Sequence, residues 1–427
     1  MENIKALRGF RDIYGDEIEK FNLIETASRK YLGLLGYREM EIPSLEKTEL
    51  FKRSIGDTTD IVEKEMFTFN DRSGESVTLR PEGTAGVVRA YLQASLYAKE
   101  RTSRLFTMGP MFRHERPQKG RFRQFYQMDV EVFGVTESMV DAELIWLIFL
   151  ILQALNIRNY TIEINSVGCR QCRESFRGAL VGFLQTRKGS LCDDCTNRLD
   201  RNPLRIFDCK NEQCGEVIRE APVLFDYLCN DCREHFEQCL SELEAFGVPV
   251  TINKRLVRGL DYYTRTVFEV TSQGLGAQKA FAAGGRYDNL VGEMGGPAVP
   301  GCGFAIGMER LALLITEMPP RVMPLYFLAT VGEKAEAWRI PLLKSFVSEG
   351  MRLAYASPAR SLKSQMKYAN SLDADYVLIL AEEELSKGVV LVRNMKDGTQ
   401  QEYPLQPDSL PVFLKGSLRK ADSSSGC

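Results

Sequence analysis

The chain has 427 residues, 44% of them hydrophobic and 26% charged, with 55 Lys and Arg set against 57 Asp and Glu. A length of this order implies about two to four domains, and the composition excludes collagen-like, low-complexity and wholly disordered chains. The net charge of −2 is neutral on polyanionic partners, so any such site must arise from local clustering.

Met1 to Phe10 has no apolar core, so no secretory signal is expected. Glu17 to Leu35 places apolar residues at helical spacing and is followed by Gly36. Val77 to Arg80, Arg104 to Phe112 and Phe125 to Phe133 read as strands joined by loops. The longest apolar run, Leu144 to Leu152, is nine residues; this is too short to span a bilayer and predicts a fully buried helix. Residues 169 to 239 hold nine of the eleven cysteines and read as an inserted module. Without a secretory signal, cysteines argue for thiols or metal ligands before disulfides. Thr266 to Val270 returns to a strand pattern. Met318-Pro-Pro320 is a linker, because paired prolines halt a helix and stiffen the chain. Beyond it, Leu325 to Thr330 and Tyr376 to Leu380 read as strands, and Ala335 to Glu349 and Ser361 to Leu372 as helices. That alternation predicts a small α/β domain with a partly parallel sheet. The tail from Gly416, residues 417–427 above all, is expected to be disordered.

Five segments carry chemistry. Between Arg113 and Arg123 there are five basic residues and one acid, flanked by strands. A hairpin loop of this kind suits polyphosphate or a nucleic-acid backbone, since Arg offers phosphate a fixed fork of donors; the bland alternative is a solvated charged loop. In Val257-Arg258-Gly-Leu-Asp261-Tyr262-Tyr263-Thr-Arg265, the tyrosines offer an apolar wall with phenolic donors beside an Arg, or merely a strand-end turn with one core aromatic. In Ala283-Gly-Gly-Arg286-Tyr287-Asp288, Gly-Gly permits close backbone approach to a ligand or makes a plain turn. Gly301 to Arg310 runs a Gly-rich strand into a helix opening with Glu309-Arg310, an anchor for a triphosphate or a packed strand–helix junction. In Leu79-Arg80-Pro81-Glu82-Gly83-Thr84, a carboxylate and a hydroxyl could clamp an ammonium group, or Glu82 or Thr84 could cap a helix.

In this order, the five segments resemble the signature blocks of the histidyl-tRNA synthetases, a class II aminoacyl-tRNA synthetase family. The stretches around Arg258 and Arg286 are the most specific, and Pro43 resembles the motif 1 proline at that family's dimer interface. The resemblance runs from Gly9-Phe-Arg-Asp12 into the C-terminal domain. It implies an α+β fold in which a class II antiparallel sheet flanked by helices occupies residues 1–320. A mainly helical insertion at 169–245 would interrupt it, and a C-terminal α/β anticodon-binding domain would follow at 321–416. It also implies ATP-dependent ligation of L-histidine to its cognate tRNA through histidyl-adenylate, with ATP as a substrate alongside Mg²⁺, in a cytoplasmic homodimer with no membrane association.

Carried over residue by residue, the resemblance makes Arg258 and Arg113 the catalytic cations at the α-phosphate. Glu82, Gly83, Thr84 and Gln127 would hold the α-amino group, and Glu131 and Tyr263 would read the imidazole, with Tyr262 and Tyr287 lining the pocket. Arg310 would hold the γ-phosphate end, and Glu115 would face the adenine, with Arg121 close to the ATP. Arg116, Gln118 and Lys119 would meet the tRNA acceptor end. Arg352 to Lys367 holds four basic residues and no acid. Within it Arg360, Lys363 and Lys367 share a helical face, the candidate anticodon contact or a solvated basic surface.

The cysteines of the insertion form four close pairs, Cys169/Cys172, Cys192/Cys195, Cys209/Cys214 and Cys229/Cys232, with Cys239 over. Cys-x2-Cys is a common half-site for tetrahedral Zn²⁺, so one or two structural zinc sites, or none and reduced thiols, are compatible with the sequence. The two histidines, His114 and His235, nearly exclude a His-based metal or general-base site. Two other functions stay open. One is a catalytically inactive regulatory paralogue belonging to ATP phosphoribosyltransferase. The other is a zinc-dependent nucleic-acid-binding protein, which would leave the ATP-type segments unexplained.

Overall fold

The computed structural model describes residues 4–56, 59–118, 120–201, 203–209, 211–260, 262–276, 279–318, 323–356 and 361–415. Pro319, Pro320 and the tail at 417–427 lie outside them. The chain divides into two compact units, Met1–Met318 and Pro319–Cys427.

The first unit is built on an eight-stranded sheet. Its strands are β1 (Arg38–Glu39), β5 (Ser103–Phe112), β6 (Gln124–Phe133), β7 (Thr161–Ser166), β8 (Thr251–Ile252), β9 (Thr264–Thr271), β10 (Ala280–Arg286) and β11 (Gly301–Gly307), in the order β1-β5-β6-β11-β10-β9-β7-β8. All neighbours are antiparallel except the outermost pairs, β1 with β5 and β7 with β8. A small second sheet joins β2 (Leu45–Lys47), β4 (Ser76–Leu79) and β3 (Phe67–Asn70). Arg80, read as the end of a strand, has left β4; its buried guanidinium donates to the carbonyls of Ile42 (2.5 Å) and Pro110 (2.8 Å), tying the Pro43 segment to β5.

The expected first helix spans Asp16–Leu34, and Gly36 takes φ +76° after it, as a helix end requires. The apolar run lies in helix Met139–Ala154, whose Leu144, Ile145, Leu147, Ile148, Ile151 and Leu152 are all buried in the main core. The insertion is helical: Arg170–Gln185, Asp193–Arg201, Glu212–Glu220 and Asn230–Ala245 enclose a small core of their own. The last of these helices serves two cores. Its Cys232 packs inside the insertion, whereas Phe236, Cys239 and Leu243 belong to the main core.

The second unit is a five-stranded sheet in the order β13 (Arg352–Tyr355), β12 (Leu325–Thr330), β14 (Tyr376–Leu380), β15 (Val389–Asn394), β16 (Gln400–Pro404). β12 runs parallel to β13 and β14, and the other pairs are antiparallel. The helix expected over Ala335 to Glu349 is two helices, Glu333–Glu336 and Arg339–Ser348. Pro341 explains the break: it lacks an N–H and clashes with the preceding turn, so it is tolerated only in the first turn of a restarted helix. Ser361 caps the helix Leu362–Ser371, its side chain accepting the Ser364 N–H.

One buried carboxylate joins several elements of the first unit. Asp141, on helix Met139–Ala154, meets the Arg286 guanidinium at 3.0 Å, His235 Nε2 at 2.5 Å and the Thr266 hydroxyl at 3.0 Å. Arg286 also donates to the carbonyls of Val135 (2.7 Å) and Glu137 (3.0 Å). Burial alone would raise the Asp141 pKa, but Arg286 and His235 outweigh it and hold the carboxyl below its usual value. Removing one partner of such a pair strands a buried charge. Arg286→Met should therefore lower the unfolding free energy by about 3–5 kcal/mol. Urea denaturation checks this, and a loss under about 1 kcal/mol would show that the pair does not carry the fold.

Candidate functional site

The residues singled out in the sequence converge on one cavity. It is bordered by Glu82, Thr84, Arg113, Glu115, Arg121, Gln127, Arg258, Tyr262, Tyr263, Tyr287 and Arg310. Sheet order explains the convergence. β6 and β11 lie side by side at the centre, β10 and β9 follow, and the β5–β6 hairpin brings in the arginine-rich loop.

Glu82 ends the Leu79–Thr84 segment as a helix cap. Its carboxylate accepts the N–H groups of Thr84 (2.9 Å) and Ala85 (2.8 Å), at the start of helix Thr84–Gln93. Thr84 is therefore not the cap; its hydroxyl donates to Glu131 at 2.6 Å. Tyr287 also donates to Glu131. Glu131 and Gly303 are register partners across β6 and β11, and a Cβ on Gly303 would overlap the Glu131 carboxylate, so only glycine leaves that group its room. The three tyrosines wall the site: the Tyr262 ring lies 4.7 Å from that of Tyr263 and 5.5 Å from that of Tyr287. Gln127 Oε1 is buried without a hydrogen-bond partner among the described residues.

Four arginines border the same space. Arg113 donates to the Pro81 carbonyl at 2.7 Å, with its guanidinium 5.4 Å from the centre of the Phe125 ring. Arg258 pairs with Glu269 at 2.5 Å. Arg121 pairs with Glu115. Arg310 donates to the carbonyl of Ala280, and its neighbour Glu309 accepts the Tyr126 N–H at 3.0 Å, holding helix Met308–Leu314 to β6. Burial pushes the Glu309 carboxyl up to about 7.

Other expected residues stand apart. Gly83 is not on the cavity wall; its backbone lies against Asp129, whose carboxylate a Cβ there would overlap. Arg116 and Gln118 are exposed on the hairpin loop. His114 is also exposed there, and its ring packs edge-on against Phe67 at 5.4 Å. Lys119, Asp261 and Arg360 lie outside the described residues. Lys363 and Lys367 are exposed on helix Leu362–Ser371, in the second unit.

Two site residues escaped the sequence reading. Glu269 on β9 lies only 11 residues from its partner Arg258, but nothing in a strand pattern marks that pairing. Asp129 was legible: it lies between Gln127 and Glu131 on β6, and alternation puts all three on one face. Burial, and then the charge of Glu82, pushes the Asp129 carboxyl up to about 8. Burial also raises Glu82 and Glu131. The cavity thus sets Glu82 and Asp129, whose pKa values burial raises, beside a set of permanent cations, and Glu131, which is not on its wall, is bonded to the lining residues Thr84 and Tyr287.

Residues 9–311 match the family model for histidyl-tRNA synthetase, and residues 326–415 match that of an anticodon binding domain. The chain is 49% identical to the histidine–tRNA ligase of Desulfosudis oleivorans over 405 residues, covering 94% of this chain and 96% of that protein. It is 46% identical to the histidine–tRNA ligase of Geobacter sulfurreducens over 96% of this chain and all of that one. Among solved structures, apo histidyl-tRNA synthetase from S. aureus superposes with a TM-score of 0.80 at 32% identity, over 97% of this chain and 100% of that chain. These similarities give no support to the regulatory-subunit alternative.

A carboxyl with a folded pKa near 8 and an unfolded value near 4 stays protonated in the folded chain while the unfolded chain ionises. Its contribution to stability is full below pH 4 and is lost as pH rises to about 8. In the ligand-free protein, the stability of the parent relative to Asp129→Asn should thus fall with rising pH, by up to about 1.4 kcal/mol per unit between pH 5 and 7. Urea midpoints across that range test this, and parallel pH profiles for the two proteins would contradict it.

Proposed function

Because the chain belongs to the histidyl-tRNA synthetase family and joins histidine to tRNA, we propose a division of its cavity into an amino-acid end and a triphosphate end, used in two steps. In the first, the histidine carboxylate attacks the α-phosphorus of ATP, taken as its Mg²⁺ complex, giving histidyl-adenylate and pyrophosphate. In the second, the terminal ribose of the tRNA takes the histidyl group and AMP leaves. The adenylate phosphate can accept the hydroxyl proton, so no protein base is needed.

At the amino-acid end, Glu82, fixed by two backbone N–H groups, receives the ammonium group. Thr84 gives its proton to Glu131, which leaves its oxygen lone pairs to accept from the ammonium. The unpartnered Gln127 oxygen is a third acceptor. Glu131 and Tyr263 take the two ring nitrogens of the imidazole. An analogue without those nitrogens would leave buried polar groups unpaired, which gives strong rejection without editing. At the other end, Arg113 and Arg258 neutralise charge building on the α-phosphate, Arg310 takes the γ-phosphate, and Glu115 and Arg121 flank the nucleotide. Pre-oriented cations of this kind act where charge develops in the transition state, and Glu269 supplies that orientation for Arg258.

The observation that carries this reading is the meeting, in one cavity, of buried carboxyls Glu82 and Asp129 with arginines Arg113, Arg121, Arg258 and Arg310, while buried Glu131 is bonded to the lining residues Thr84 and Tyr287. The first set suits an ammonium and an imidazole, the second a polyphosphate. Exposed Arg116 and Gln118 are assigned to the acceptor end of the tRNA, and Lys363 and Lys367 to its anticodon arm. A homodimer through the Pro43 segment is supported by the small sheet. Leu45, Leu79 and Phe67 align across it, as do Lys47, Val77 and Phe69, giving one largely apolar face on which Leu45 and Phe69 stay 42% and 49% exposed. No described helix is long and apolar enough to cross a membrane, and we assign the chain to the cytoplasm because its substrates meet there. The insertion is read as zinc-bearing, from its thiols alone.

Histidine-dependent exchange of labelled pyrophosphate into ATP tests the first step. Arg258→Ala should reduce it by about 100-fold or more, and an unchanged rate would remove Arg258 from the chemistry. The paired substitution Lys363→Ala with Lys367→Ala should leave exchange untouched and raise the KM for tRNA several-fold, more so at low salt; an unchanged KM would make that helix face merely solvated.

A further inference from the structure

Eight cysteines of the insertion fall into two separate groups. Cys169, Cys172, Cys229 and Cys232 make one, and Cys192, Cys195, Cys209 and Cys214 the other; within each, all sulfur atoms lie within 4.8 Å of one another. Cys169 lies 3.6 Å from Cys172 and 3.9 Å from Cys229, and Cys192 lies 3.8 Å from Cys209. A disulfide would need about 2.05 Å. A tetrahedral ion with sulfur at about 2.3 Å needs sulfur–sulfur edges of about 3.8 Å.

Backbone donors point at three of these sulfurs. The Cys229 N–H points at Cys172 Sγ (3.1 Å), the Cys192 N–H at Cys214 Sγ (3.2 Å) and the Asn211 N–H at Cys209 Sγ (3.5 Å). Such donors orient a thiolate ligand and stabilise it. Three of the four pairs are built alike. Cys169, Cys192 and Cys229 each immediately precede a helix, and Cys172, Cys195 and Cys232 sit in its first turn. The Cys-x2-Cys spacing therefore puts both sulfurs at the helix end that favours negative charge.

We infer that the insertion binds two structural Zn²⁺ ions, one in each group, and that the two do different work. This deepens the zinc-bearing reading of the insertion by fixing the number of ions, the ligand pairing and the task of each. Four thiolates in a closed tetrahedron select zinc and leave no open position for catalysis. The first group is proximal. It clamps the start of helix Arg170–Gln185 to the start of helix Asn230–Ala245, where the insertion leaves the sheet and where it returns. Gly168, between β7 and Cys169, takes φ +61°, and a Cβ there would overlap Cys172. Its carbonyl accepts the Arg265 N–H at 3.0 Å, and the Val167 N–H reaches the Arg265 carbonyl at 2.7 Å. The proximal ion is thus braced against the stretch that follows Tyr262 and Tyr263. The second group is distal. It gathers the helices Asp193–Arg201 and Glu212–Glu220, each of nine residues, and helices that short do not persist on their own. Cysteines fill much of the insertion core, alongside Phe176, Leu180, Leu184 and Leu199, and a core of that size ordinarily needs a metal or another staple.

Elemental analysis of protein purified without chelator should find about two zinc atoms per chain, and mercurial titration should release both as the eight thiols react. Cys214→Ser should retain about one zinc atom and keep histidine-dependent pyrophosphate exchange within about twofold of the parent, while residues 190–215 become open to trypsin. Cys232→Ser should lose the proximal ion and lower Tm further than Cys214→Ser does. Should Cys232→Ser fail to fold, the parent stoichiometry and Cys214→Ser still decide the matter. One zinc atom in the parent would overturn the two-ion inference and leave a zinc-bearing insertion standing. Well under one would overturn both, and iron in place of zinc would overturn the identity of the ion.

Discussion

The Asp141–Arg286 pair is the constraint on which the rest of the catalytic unit depends. Both side chains are fully buried, so neither charge is tolerable without the other. Meeting that requirement fixes three elements at once. Arg286 ends β10, Thr266 lies on β9, and His235 comes from the returning helix of the insertion; all three reach the one carboxylate on helix Met139–Ala154. Tyr287 follows Arg286 directly, so the pair that locks the strand also sets the phenol that reaches Glu131. The stretch Gly284-Gly285-Arg286-Tyr287 thus does two things. Its glycines let neighbouring strands close in, and its arginine secures the end of the strand so that the tyrosine has a defined place.

The cavity continues the same logic with charges left partly unresolved. The carboxyls of the proposed amino-acid end, Glu82, Asp129 and Glu131, are buried, and burial raises their pKa values. In the proposed division of the cavity, an incoming ammonium group would bring positive charge to this end and favour the ionised form of those groups. At the opposite end the arginines are held by internal acceptors, Glu269 for Arg258 and Glu115 for Arg121. Such pairing keeps the guanidiniums oriented without filling their full donor capacity. Both ends are therefore arranged before substrate arrives, which limits reorganisation during the reaction.

Much of this was legible in the sequence, and the remainder has identifiable causes. Strand-like apolar runs located β5, β6, β12 and β14 to within about a residue, because each buries one or both faces. Local chemistry marked the segments of Glu82, Arg113, Tyr263 and Arg310 as candidates, each with a bland alternative, and the family resemblance supplied their roles; all four residues border the cavity. What failed was anything dependent on pairing across long separations. The cysteines at 169 and 172 find their partners at 229 and 232, after a full excursion of the chain, and Glu269, though only 11 residues from Arg258, carries no local mark of that pairing. Asp129 failed differently. It shares the strand alternation of Gln127 and Glu131, but the family resemblance names those neighbours and not Asp129 itself. The break before Arg339 was equally readable from Pro341.

The insertion is best understood through the strands it separates. β7 and β8 pair in parallel, Glu163 with Thr251 and Ile164 with Ile252. Two parallel neighbours cannot be joined by a tight turn; the chain must cross over, and a helix packed on the sheet is the usual means. Helix Asn230–Ala245 supplies that crossover. It places Phe236, Cys239 and Leu243 in the main core, stacks Phe246 on Trp146 at 4.6 Å, and hands His235 to Asp141. The cysteine-rich part is an enlargement of a connection that the sheet topology already demands. Excising the whole insertion would remove a wall of the catalytic core and a ligand of its central carboxylate, whereas trimming only the distal helices would leave both in place. The boundary that matters physically therefore runs within the insertion, between the helices that pack on the sheet and those that pack only on one another.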